Sequence, residues 1–275
     1  MIRFLLLNGF VAVYTILFCM FGLLLSLFDR KGGALLHSYV AVPWARLILW
    51  VCGVKVQVRG LENLDPGAAR IYICNHQSYF DIFALLAYLP IQFKFVMKKE
   101  LMSLPLLGAT MRRAGYIGID REDAREALKG MNQAAEKMKK GTSILVFPEG
   151  TRSPDGLLQP FKPGAFHIAL KSQCDIVPLI IDGSRLVVPK GSLRIQKGSF
   201  ALHIGKPIPI HGYSKKNMPV LLENVRDAMA GLLEKSEISG QTSEISNTKE
   251  ERKTNIEHRT SNENRTEVRD RESEI

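Results

Sequence analysis

The chain has 275 residues, 46% of them apolar, enough for one ordinary globular domain with extensions and a sizeable core. Its formal net charge is +10, but from Glu234 onward 8 Lys/Arg face 11 Asp/Glu, so the preceding body carries about +13. A basic body fits nucleic acid, an anionic membrane surface or a phosphorylated substrate. Nucleic acid is set aside, because the sequence holds neither a ribonucleoprotein-type aromatic strand nor a zinc-ligand spacing. Cys19, Cys52, Cys74 and Cys174 are widely spaced and form no Cys-x-x-Cys, so neither a metal site nor a disulfide framework is expected. Reduced, mostly buried thiols fit a catalytic domain facing the cytosol.

In chain order, Phe4 to Phe28 is an uncharged apolar run. As a helix of 25 residues it would extend about 37 Å, enough to cross a ~30 Å hydrocarbon core with tilt. It is too long for a cleaved signal peptide and no small-x-small site follows, so residues 1–31 are expected to be an uncleaved membrane anchor. Arg30 and Lys31 behind it favour a cytoplasmic C-terminal side. Residues 32–53 are apolar but interrupted by His37, Pro43 and Arg46, and hold both tryptophans, Trp44 and Trp50. They read either as an interfacial or re-entrant helix or as a buried helix of the domain.

From residue 54 the pattern changes. Val54, Val56 and Val58 alternate with Lys55, Gln57 and Arg59, the period of a half-buried strand. Further strand-like runs follow at Ile71–Cys74, Phe93–Met97, Ser143–Phe147, Ile176–Ile181 and Phe200–Ile204. Helical patterns lie between several of them. The clearest is Glu122–Lys139, where Leu128, Met131, Ala135 and Met138 share a face expected to be core. This alternation predicts an α/β domain over residues 54–235, with a mixed, largely parallel sheet flanked by helices. Residues 236–275 are polar, lack aromatic residues and are expected to be disordered.

Two stretches carry chemistry. Ile71 to Asp81 reads as a strand, a polar turn holding His76, and the start of a helix. A carboxylate at Asp81 that accepts the His76 Nδ1 proton would leave Nε2 free to deprotonate an alcohol. In one regular helix the two side chains would point about 140° apart, so only a turn before the helix lets them meet. The competing reading is that Ser78-x-x-Asp81 is a capping box and His76 an ordinary surface histidine. The second stretch is Pro148-Glu149-Gly150-Thr151-Arg152-Ser153 after a buried strand. Backbone N–H groups can approach an anion at Gly150 and Arg152 can bind it with two donors, although Pro-Glu-Gly-Thr also makes a good turn.

Asn75-His76-x-x-x-x-Asp81 with Phe147-Pro148-Glu149-Gly150-Thr151-Arg152-Ser153 resembles the 1-acyl-glycerol-3-phosphate acyltransferase (PlsC-like) family. Gly115-Tyr116-Ile117-Gly118-Ile119-Asp120-Arg121 and Val177-Pro178-Leu179-Ile180 match two further family segments. Lys98-Lys99-Glu100-Leu101, Phe161-Lys162-Pro163-Gly164 and Ile204-Gly205-Lys206-Pro207 add to the likeness, which spans residues 55 to 210 in the family's order. One departure is Gly118, where the family often has Phe.

The resemblance implies that His76 acts as general base on the sn-2 hydroxyl of 1-acyl-sn-glycerol-3-phosphate, with Asp81 orienting it. The acyl donor would be acyl-CoA or acyl-carrier protein, and the product phosphatidic acid. Glu149, Gly150, Thr151 and Arg152 would bind the acceptor phosphate. Lys98, Lys99 and Arg121 would add positive charge, or else are solvated surface residues. A thiol is a good leaving group, so no cofactor, metal or enzyme nucleophile is expected. Membrane lipids are the expected partners, with the catalytic domain on the cytoplasmic face. Alternatives are another acceptor (glycerol-3-phosphate, another lysophospholipid or a lyso-aminolipid) or a catalytically silent lipid-binding protein. A thioesterase is disfavoured, since it would leave the phosphate loop idle.

Overall fold

In a computed structural model, which describes residues 1–29 and 33–236, the alternating apolar runs pair into one seven-stranded sheet. The strands are β1 Val54–Arg59, β2 Ile71–Cys74, β3 Phe93–Lys98, β4 Ile117–Ile119, β5 Ser143–Val146, β6 Ile176–Asp182 and β7 Gly198–Ile204. Their order is β1-β7-β6-β2-β5-β3-β4. β6, β2, β5, β3 and β4 run parallel, while β7 reverses against β6 and pairs in parallel with β1. The fold class read from the sequence is the one observed. β4 is the element that the sequence reading did not place as a strand. It is three residues long and holds Gly118, so its signal is weak.

The helices are α1 Ile2–Leu25, α2 Ala34–Leu36, α3 Val42–Cys52, α4 Phe80–Tyr88, α5 Leu107–Arg113, α6 Ala124–Lys139, α7 Gly164–Ser172 and α8 Ser184–Val187. Residues 218–232 are also helical (α9) and close the compact unit Met1–Leu232. Of the second unit, residues 233–275, only 233–236 are described, and they are helical. The expected disordered tail therefore lies, but for Ser236, outside the described residues.

Because strand side chains alternate, the central strands bury both faces. Tyr72, Leu145, Val177 and Leu179 pack in one core with Ala45, Ile48 and Leu49 of α3 and Phe83, Leu85 and Leu86 of α4. Ile71, Ile73, Ile144 and Ile176 are equally buried, and α6 and α7 pack against each other and against β5 and β2. On α6 the core stripe is shorter than its periodicity suggests: Ala134, Ala135 and Met138 are buried, but Leu128 is 44% exposed. Residues 124–129 of α6 include no buried position, and burial begins at Gly130 against β4, which corrects the expectation that the whole stripe is core.

α1 and the helical stretch Ala34–Cys52, which contains a π-helical turn at His37–Ala41, are both long and apolar enough to cross a membrane. Neither stands free of the domain. Leu7, Phe10, Val11 and Tyr14 of α1 pack against the core. Trp44 Nε1 donates to Thr15 Oγ1 at 3.1 Å, and Thr110 Oγ1 donates to Cys19 O at 3.3 Å. Leu5, Leu6, Val13, Leu17, Phe21 and Leu24 face outward, as does Trp50 at 76% exposure. One flank of this helical pair is docked and the other is an uncovered apolar surface.

Candidate active site

β6, β2 and β5 are neighbours and parallel, so the segments that follow them leave the same edge of the sheet. In open α/β sheets that carboxyl edge is where ligands bind. The segment after β2 carries His76, the one after β5 carries Glu149 to Ser153, and the one after β6 carries Ser184.

The turn between β2 and α4 performs the bend required for residues 76 and 81 to meet. His76 Nδ1 lies 2.7 Å from Asp81 Oδ2. The same Oδ2 accepts the Gln77 N–H at 2.7 Å and the Ser78 N–H at 2.9 Å. The two sequence readings of Asp81 therefore coexist: it ties down the start of α4 and it holds His76. Asp81 is 0% exposed, so these donors replace the water that a carboxylate otherwise needs. With Nδ1–H directed at the carboxylate, the neutral ring presents Nε2 as its acceptor. The ring face stacks on Phe147, centroids 4.1 Å apart with planes 17° from parallel, and Phe147 in turn stacks on Phe95 at 6.1 Å.

The loop after β5 grips the backbone of His76 from both sides. His76 N–H donates to Glu149 Oε1 at 3.1 Å, and Ser153 N–H donates to His76 O at 2.6 Å. Gly150 adopts φ +73°, and the Cβ it lacks would lie 3.2 Å from Lys162 Nζ. Only glycine takes this backbone without strain. Arg121 donates to Gly150 O, so this predicted cation does reach the loop. Thr151 is exposed at its tip. Arg152 lays its guanidinium over the Tyr79 ring, 3.8 Å from the centroid, and its Nη1 is buried without a hydrogen-bond partner. Arg226 of α9 braces the stretch beyond, donating to Gln159 O at 3.0 Å and Leu158 O at 3.1 Å.

Lys98 and Lys99 are surface residues with carboxylate partners, Glu100 at 2.9 Å and Asp120 at 3.5 Å. Glu149 is 3% exposed and its pKa is raised to about 7. Burial is the main cause. The His76 N–H lowers it, the Gln159 N–H adds to that without reaching hydrogen-bond geometry, Asp81 raises it, and Arg226 lowers it. Among the described residues no group of His, Cys, Asp and Glu could hold a metal ion.

Sequence reasoning passed over three contributors: Phe147 as the stacking partner of His76, Lys162 beside Gly150, and Ser184. Phe147 and Lys162 lie in motifs that were noticed, so their neighbourhood was visible but not their contacts. Ser184 lies 103 residues from Asp81 and belongs to no local pattern. Only the β2–β6 pairing brings it near.

The Acyltransferase family profile matches residues 55–182, so a histidine–carboxylate pair at the carboxyl edge of this sheet is part of an acyltransferase domain. A chloroplastic 1-acyl-sn-glycerol-3-phosphate acyltransferase of Arabidopsis thaliana is 37% identical over 205 residues, covering 74% of this chain and 55% of that protein. The alpha form of Homo sapiens is 32% identical over 183 residues, covering 66% and 65%. The crystal structure of the 1-acyl-sn-glycerophosphate acyltransferase PlsC from Thermotoga maritima superposes with TM-score 0.70 at 29% identity, covering 84% of this chain and 95% of that one. Residues 55–182 are thus an Acyltransferase-family domain, and the chain as a whole is similar to these PlsC-like enzymes. It spans about half the length of the plant relatives it matches, 55% and 53% for the first two.

Proposed function

We propose that the protein transfers an acyl group from a thioester donor, acyl-CoA or acyl-carrier protein, to the sn-2 hydroxyl of 1-acyl-sn-glycerol-3-phosphate, giving phosphatidic acid. The observation that carries this reading is the 2.7 Å His76–Asp81 contact beside a loop whose Arg152 Nη1 is buried and unpartnered. His76 Nε2 takes the hydroxyl proton while the oxygen attacks the thioester carbonyl. The tetrahedral intermediate collapses, the C–S bond breaks, and the thiolate leaves with the proton returned by His76. Asp81 stabilises the imidazolium formed on the way. Arg152, Gly150 and Thr151 bind the acceptor phosphate, with positive charge from Arg121 nearby; Glu149 fixes the His76 backbone. Lys98 and Lys99 contribute to the field around the site from its rim. The names of the relatives support this acceptor.

The outward apolar flank of α1 and of Ala34–Cys52 supports a place at a membrane surface, where a lysophospholipid resides. Arg30 and Lys31 and the free thiols favour the cytoplasmic face for the body. The test is His76→Ala in detergent micelles with labelled acyl-CoA and lysophosphatidic acid. We expect transfer to fall about 10²–10⁴-fold in a protein that still folds, with a melting temperature lowered by the lost Phe147 stacking and Asp81 contact. Activity within about threefold of wild type would remove His76 from the chemistry.

A further inference from the structure

Three polar contacts fasten the histidine turn to the end of β6 and the segment that follows it. Asn75 Nδ2 donates to Ile181 O at 2.8 Å, and Ile181 N–H returns a bond to Asn75 Oδ1 at 2.7 Å. Ser78 Oγ donates to Val188 O at 2.9 Å. Between them, Ser184 Oγ donates to Asp81 Oδ1. Ser184 and Asp81 are both 0% exposed, so water does not substitute for either partner. The division of labour on the carboxylate is uneven: His76, Gln77 and Ser78 all approach Oδ2, while Ser184 is the donor to Oδ1 among the described residues.

We propose that Ser184 is a positioning residue for the catalytic pair, its hydroxyl fixing the plane of the Asp81 carboxylate and withdrawing charge from it. The inference rests on His76 acting as the base. The physical argument starts from Asp81. A carboxylate tied through one oxygen can still turn about its Cβ–Cγ bond; a donor on the other oxygen stops that rotation and keeps Oδ2 in line with His76 Nδ1. The same donor tempers how strongly Asp81 holds an imidazolium. Without it, the negative charge is less dispersed and lies in a dry site, so protonated His76 is favoured and the neutral base is reached only at higher pH. Ser184 is the first residue of α8, yet its hydroxyl serves Asp81 rather than the start of its own helix. A serine spent on helix capping would have no reason to reach across to α4.

The test is Ser184→Ala, with Ser184→Thr and Ser184→Cys alongside, assayed from about pH 5 to pH 9 with lysophosphatidic acid and acyl-CoA. For Ser184→Ala we expect kcat near neutral pH to fall about 10–100-fold, with the acceptor KM within about twofold and the acid limb of the kcat profile moved to higher pH. Threonine restores the hydroxyl and should recover most of the rate. Cysteine keeps the volume but donates weakly, and should move the acid limb the same way. An acid limb that stays in place in the alanine variant overturns the proposal, whatever the rate. If that variant does not fold, an unmoved limb in the cysteine variant overturns it instead. His76→Ala run in parallel separates the two levels. Activity retained there removes the base itself, whereas activity lost there with an unmoved limb at Ser184 removes only the positioning role.

Discussion

Burial raises the Glu149 carboxyl to about 7 from an ordinary value of 4.5, so the folded protein holds a proton that the unfolded chain releases. Stability from this group is fully present below about pH 4.5 and is lost as pH rises through about 7, by at most about 1.4 kcal/mol per unit. Glu149→Gln, which mimics the protonated acid, should flatten that slope when urea denaturation is compared at pH 5 and pH 7.5; equal slopes in both proteins would show that Glu149 does not titrate in this range. Arg152 makes a different prediction. It makes no ion pair with Glu149 in this structure and rests on Tyr79 instead, with one guanidinium nitrogen buried and without a hydrogen-bond partner. Arg152→Lys keeps the charge but loses the planar fork. It should lower kcat/KM for lysophosphatidic acid about 10–150-fold, leave the donor's apparent KM in place, and barely affect a neutral acceptor such as monoacylglycerol. Equal losses on both acceptors with a lower melting temperature would make Arg152 a structural residue.

Element by element, the chain announces itself unevenly. Strands β1, β2, β3, β5, β6 and β7 were legible because their apolar runs are continuous or alternate and are bounded by turn residues. The meeting of His76 and Asp81 was legible because both lie in one short turn, whereas Ser184, brought in by sheet pairing across 103 residues, was not. β4 escaped notice through its glycine, and its structure gives the reason for that glycine. A Cβ on Gly118 would lie 3.1 Å from Met102 Cγ and 3.3 Å from the backbone Cα of Lys99. A Cβ on Gly130 of α6 would in turn lie 3.2 Å from Gly118 O. β4 is thus pressed between α6 and the 3-10 turn Lys99–Ser103. Gly118→Phe, the residue frequent in the family, should therefore destabilise this chain by about 1–3 kcal/mol, read as a lower denaturation midpoint. An unchanged midpoint would mean that the turn moves aside freely. Leu128 shows the opposite failure, since helical periodicity identifies a face without revealing which of its positions a neighbouring element covers.

At the scale of the whole molecule, the N-terminal helix is more than a tether. Thr15, Cys19 and the apolar side chains from Leu7 to Tyr14 join it to α3, α5 and the core. Removing residues 1–29 should therefore lower the melting temperature in detergent and reduce activity, where loss of a mere anchor would leave an intact soluble enzyme. Equal melting curves for the two proteins would show that α1 contributes attachment alone. The parallel pairing of β2 with β5 and β6 has a consequence of another kind. Ile71 meets Ile144 on one side and Ile176 on the other, so the site joins stretches far apart along the chain. Closing such loops is entropically slow, and parallel pairing offers no local hairpin from which to begin. Helices such as α6 can form within their own sequence, but the His76 turn cannot acquire its Ser184 and Glu149 partners until both strands have docked beside β2. A nascent chain with its helices in place but β6 unpaired would hold the histidine without the geometry of the proposed base, so the proposed acyl transfer would require late folding events rather than accumulate with helix content.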